Sequence, residues 1–153
     1  MVCDIILGRW VEQGGLIYEN DCWQVGSWFW LPPVVWPGAL SIKLKRHCEH
    51  LAELTSEEAK TLGPFTRTVC QVLTEVLKPA NVYVFSFGDG GKHIHFWVLP
   101  QLPGIRPGIH SAIFNLDMRL TLTRLLGTKR WMLSDEEVTS TAEQMRECIR
   151  QLL

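Results

Sequence analysis

Apolar and polar residues alternate along several short stretches of this 153-residue chain, and each such stretch predicts a β-strand. The clearest runs from Ala39 to Leu44, where Leu40, Ile42 and Leu44 oppose Ser41, Lys43 and Lys45 in the pattern of a half-buried strand. Leu16 to Glu19 and Cys22 to Trp30 read as a hairpin turning at Asn20-Asp21, residues that favour tight turns. Val82 to Phe87 and His93 to Leu99 supply two more strands. Between them the period lengthens: Ala59, Leu62, Thr66, Val69, Leu73 and Val76 recur at three- and four-residue steps, which predicts one apolar helical stripe reaching about Leu77. Thr55-Ser56-Glu57-Glu58 opens that helix as a capping box, and Pro64 is expected to bend or interrupt its early turns. After a Pro/Gly-rich connection from Pro100 to Pro107, helices are expected around Asp117 to Leu126 and from Ser134, where Ser134-Asp135-Glu136-Glu137 repeats the capping-box pattern. Strands, helix, strands, helices is the order of an α+β domain with a mainly antiparallel sheet of about five strands. We expect one domain over residues 1–153, with its core in 3–100 and a helical extension in 101–153.

Composition narrows the classes of function. An apolar fraction of 46% with 20% charged residues is ordinary for a globular protein, and no stretch approaches the length of a transmembrane helix. Met1-Val2-Cys3-Asp4 lacks the basic start and apolar run of a signal peptide, so a cytoplasmic location is expected. Fifteen basic and sixteen acidic residues leave a net charge of −1, which removes the electrostatic argument for long nucleic acid or an anionic membrane as partner. A small phosphorylated ligand remains compatible. The five cysteines, at 3, 22, 48, 70 and 148, are odd in number and contain no Cys-x-x-Cys, so free thiols are expected. Four of seven tryptophans (Trp23, Trp28, Trp30, Trp36) fall within fourteen residues, which we read as core and dimer-interface packing before a base-stacking platform.

Candidate chemistry concentrates in Gly88-Asp89-Gly90-Gly91-Lys92-His93-Ile94-His95-Phe96-Trp97-Val98. On an extended strand His93, His95 and Trp97 share one face, and Ile94, Phe96 and Val98 the other. Imidazoles near neutral pH serve as nucleophiles, proton carriers or metal ligands. The glycine-rich loop before them can present backbone N–H groups to an anion. The plainer alternative is a hydrogen-bonded structural histidine after an ordinary turn. Lys92 should point away from His93, on the opposite side of the strand.

These residues, in this order, resemble the histidine triad (HIT) family over roughly residues 3 to 100. Cys3-Asp4-Ile5-Ile6-Leu7-Gly8-Arg9 is similar to the family's N-terminal segment, and Ile17-Tyr18-Glu19-Asn20-Asp21 to its first hairpin. Pro37-Gly38-Ala39-Leu40 is similar to its Pro-Gly-His strand start, and Lys45-Arg46-His47 with Leu51-Ala52-Glu53-Leu54-Thr55 to the approach to its long helix. His93-Ile94-His95-Phe96-Trp97 falls where the family has His-x-His-x-His.

The resemblance implies a HIT-like α+β fold, a homodimer, and a nucleotide or other small phosphorylated ligand. It also implies attack on the α-phosphorus by the middle histidine, here His95, to form a covalent nucleotidyl-histidine. His93 and the backbone of Gly88, Asp89, Gly90 and Gly91 would support the anionic oxygens, with Trp97 beside the ligand. That scheme needs neither a metal nor an organic cofactor. The chain departs from the family at Trp97, whose indole cannot shuttle a proton, at Leu31 in place of a ribose-binding aspartate, at Ala39 in place of a histidine, and in a shortened loop. Hence two functions stand side by side: a nucleotide hydrolase or nucleotidyltransferase, and a catalytically inactive nucleotide sensor or interaction module. Some family members hold zinc through an N-terminal cysteine pair and two histidines. This chain keeps Cys3, His47 and His93, with His50 nearby, and we read His47 and His50 as a solvated turn and the metal as none. No role is assigned to His110.

Overall fold

The computed structural model describes residues 2–27, 35–87 and 92–153. A short helix α1 (Val2–Ile6) leads to the hairpin β1 (Leu16–Glu19) and β2 (Trp23–Ser27), then β3 (Leu40–Leu44) and the long helix α2 (Ser56–Leu77). Strands β4 (Val82–Phe85) and β5 (His95–Pro100) follow, then α3 (Ile109–Leu126) and α4 (Asp135–Leu152). The strands form one antiparallel sheet in the order β1-β2-β3-β5-β4, so the chain lays β4 on the outer edge before β5 returns to fill the centre. Among the described residues no helix is long and apolar enough to cross a membrane.

Local chemistry explains most of these elements. The Asn20 side chain accepts from the backbone N–H groups of Cys22 (3.0 Å) and Trp23 (2.7 Å), closing the hairpin turn. Both expected capping boxes are present, Thr55 with Glu58 on α2 and Ser134 with Glu137 on α4. Gly38 has φ +71°, and a Cβ there would run into Leu77, so the turn into β3 needs glycine.

Three expectations change. Helix α2 runs unbroken through Pro64; Gly63 before it has no Cβ to clash with the proline ring, and buried Phe65 and Val69 hold the turns beyond. Helix α3 begins at Ile109, eight residues earlier than the pattern suggested, behind Gly108, which offers no side-chain cap. Strand β3 is buried along its whole length, on both faces.

The reason is that both sides of the sheet are covered. Leu40, Ile42, Leu44, Trp23, Val25, Ile94 and Val98 meet α2 through Phe65, Val69, Val72 and Leu73, and α4 through Ala142, Met145 and Ile149. On the other side Leu99 and Trp97 pack with Trp36 and, in α3, Ala112 and Leu116. Trp23 and Trp36 are fully buried and each indole N–H is used, to Glu58 O (3.2 Å) and Pro100 O (2.9 Å), which bears out core packing for those two. Trp28, Trp30 and Leu31 lie outside the described residues.

Candidate active site and metal cluster

Cross-strand register sets the site. His95 on β5 lies opposite Lys43 on β3, Lys43 opposite Gln24 on β2, and Trp97 opposite Ser41. Directly opposed residues share a face, so His95, Lys43 and Gln24 form a polar row across the sheet. All three are buried, His95 being 4% exposed.

His95 Nδ1 lies 2.8 Å from the backbone carbonyl of His93, an acceptor only, so Nδ1 carries the proton and the ring's lone pair belongs to Nε2. The support that His93 lends His95 thus runs through its main chain. The His93 imidazole is engaged elsewhere: Nε2–H donates to Leu44 O (2.6 Å) and Nδ1 lies 3.2 Å from Cys3 Sγ. Burial pushes the His93 imidazole below its ordinary value, against the opposing pull of the Leu44 carbonyl. Trp97, partly buried, stands 6.4 Å from the His95 ring, tilted against Phe85 (5.5 Å) and edge-on to Phe87 (6.2 Å), so an aromatic cluster occupies the place where the resemblance expects a third histidine. Gly88, Asp89, Gly90 and Gly91 lie outside the described residues. Lys92 is exposed while its neighbour His93 is buried.

Cys3 Sγ also lies 3.2 Å from His47 Nδ1, and the donor atoms of Cys3, His47 and His93 all fall within 4.8 Å of one another. The solvated-turn reading therefore needs correcting for His47, which is exposed on the outside yet turned toward the thiol. It stands for His50, which is exposed and outside the cluster. A single S–H can satisfy only one of two imidazole nitrogens, whereas a cation satisfies all three donors at once. Two imidazoles and a thiolate are the ligands zinc prefers, and the His93 N–H held by Leu44 O is the usual outer support of a metal-bound histidine. The cluster supplies three of the four ligands of a tetrahedral zinc.

Sequence reading missed Glu12 and Lys43. Lys43 Nζ donates to Glu12 Oε2 at 2.6 Å, with side chains 2% and 4% exposed. Glu12 Oε1 is buried with no hydrogen-bond partner among the described residues. Burial pushes the Glu12 carboxyl up and the Lys43 ammonium down, each held back by the other's charge. Glu12 lies so close over Gly26 that any Cβ there would displace its carboxylate. The only local signal was a lysine on an alternating strand, which ordinarily marks the solvent side.

Arg46 braces the approach to α2. Its guanidinium donates to both Glu58 carboxylate oxygens (2.8 and 2.9 Å), while Glu58 also accepts from Thr55 N, and together these hold the Glu58 carboxyl down to about 2.

An antiparallel sheet of this order with a central histidine strand and one long helix is the HIT-like fold, and solved structures carry the same arrangement. A hypothetical histidine triad nucleotide-binding protein from Sulfolobus tokodaii superposes with a TM-score of 0.70 at 16% identity, over 99% of this chain and 92% of that one. A zinc-bound histidine triad family protein from Mycobacterium smegmatis gives 0.66 at 15% identity, over 98% and 92%. Diadenosine triphosphate hydrolase of Plasmodium falciparum, solved with cyclomarin A, gives 0.60 at 11% identity, over 99% and 98%. No protein-family model and no curated protein matches the sequence.

Proposed function

We propose that this protein binds a nucleotide or related phosphorylated ligand at His95 and hydrolyses or transfers its nucleotidyl group. The observation that carries the reading is the Nδ1–H bond to His93 O, a tautomer that puts the ring's lone pair on Nε2, the nitrogen that would attack. Nε2 forms a bond to the α-phosphorus as the bond from phosphorus to the leaving oxygen breaks, the leaving group departing with the electron pair. An acceptor, water or another nucleophile, then cleaves the N–P bond, returns the lone pair to Nε2 and gives up its proton to solvent. The names of the similar structures, a nucleotide-binding protein and a diadenosine triphosphate hydrolase among them, support the ligand class. The same reading has the protein act as a homodimer, which light scattering tests.

Chromatographic detection of nucleoside monophosphate, released from dinucleoside polyphosphates, nucleoside phosphoramidates and nucleotide sugars, tests the enzyme. Release by the parent and none by His95→Ala is the expected result. A folded parent inert across the panel would favour the second reading, a non-catalytic nucleotide module. Trp97 supports that alternative: packed among Phe85 and Phe87, it offers no proton to a leaving group.

Cys3, His47 and His93 would supply three ligands to a zinc ion, which would tie the N-terminal segment to the end of β3 and the start of β5.

A further inference from the structure

Away from His95, the C-terminal part of the chain carries a partly buried cation, Arg119, with no carboxylate partner among the described residues. Arg119 of α3 lies over two indoles, its guanidinium carbon 5.1 Å from the centroid of Trp36 and 5.9 Å from that of Trp131. Arg130 stacks on Trp131 as well, at 5.6 Å. The guanidinium has five N–H donors. Among the described residues Arg119 makes one long bond, NH1 to Val35 O at 3.4 Å, while its buried Nε has no partner.

Charge balance makes the arrangement stranger. Burial and the like charge of Arg130 both lower the pKa of Arg119, and among the described residues no carboxylate opposes them. Residues 118–134 hold Arg119, Arg124, Lys129 and Arg130 and no acidic residue, within a chain whose net charge is −1. Stacking on aromatic rings fixes the plane of a guanidinium and leaves its N–H edge as the surface through which it can bind. A planar fork with unmet donors, backed by a second guanidinium, suits a multiply charged oxyanion that accepts two parallel hydrogen bonds.

We propose that Arg119 and Arg130, held by Trp36 and Trp131, form a binding site for a phosphate-type oxyanion. Arg119 supplies the paired donors and Arg130 a second positive charge. This site is independent of nucleotidyl transfer at His95. The anion is either a free small ion or the terminal phosphate of a larger ligand.

Calorimetric titration of inorganic phosphate into the full chain at low ionic strength tests it. Saturable binding is expected, weakened about tenfold or more by Arg119→Gln and less by Arg130→Gln. Binding that is lost in His95→Ala and kept in Arg119→Gln would place the phosphate at the His95 site and overturn the proposal. Arg119→Lys keeps the charge and loses the fork, so it should bind nearly as poorly while circular dichroism shows the fold intact. A nucleoside triphosphate that binds more tightly than phosphate and is weakened by Arg119→Gln would identify the bound group as a terminal phosphate. A triphosphate no tighter than phosphate would identify a free ion. Absence of saturable phosphate binding by the folded parent, or equal binding by parent, Arg119→Gln and Arg119→Lys, overturns the proposal.

Discussion

Replacing Glu12 by leucine strands the Lys43 ammonium in a site where its side chain is 2% exposed. Removing one partner of a buried ion pair costs about 3–5 kcal/mol, because the remaining charge keeps its desolvation penalty and loses its compensation. For a chain of 153 residues that is a fall in Tm of about 6–20 °C. Calorimetric melts of Glu12→Leu should show it, and Glu12→Leu/Lys43→Met, an apolar pair of similar volume, should recover most of the loss. The pH dependence has a fixed sign. Burial already lowers Lys43 below its ordinary value of 10.5, and without Glu12 it falls further. Between the lowered folded value and 10.5 the unfolded chain binds more protons, so the stability of Glu12→Leu climbs with pH and its deficit shrinks. A deficit under about 1 kcal/mol, or one that does not shrink as pH rises, would refute the reasoning.

Other consequences are open to measurement. Purified protein should carry zinc that Cys3→Ser and His47→Ala each lose and His95→Ala retains, as read by elemental mass spectrometry. Leu73→Ala, at a fully buried position of α2, should destabilise by about 2–5 kcal/mol in urea melts. Glu58, lowered to about 2 by Arg46 and the capping bonds, contributes stability that is complete above its ordinary 4.5 and is lost as pH falls toward 2. Glu58→Gln should therefore flatten the acid limb of the stability curve, and a parent-like limb would contradict the assignment.

What the sequence disclosed, and what it hid, follows from the range of the interactions. The hairpin turn at Asn20 and the two capping boxes are made by residues two or three apart, and each is legible where it stands. The strand alternation correctly separated Leu40, Ile42 and Leu44 from Ser41 and Lys43. It misjudged the second face, since burial there depends on Glu12, thirty-one residues before Lys43, and on α3. The front half of α3 escaped notice because Gly108 gives no capping signal and the helix is apolar on most sides. His95 was legible from the motif; Cys3, His47 and His93, forty-four and ninety positions apart, were brought together only by the family resemblance, which left open whether they meet.

Helix α4 has a bearing on how the chain folds during synthesis. The inner face of the sheet is built from residues 17 to 98, yet Ala142, Met145 and Ile149 are needed to complete the cluster that covers it. As the polypeptide leaves the ribosome, the hairpin, β3, α2 and β5 will have emerged while part of their apolar face still meets water. Until α4 emerges, that exposed strip is the surface a chaperone would bind, and a stalled nascent chain would aggregate through it.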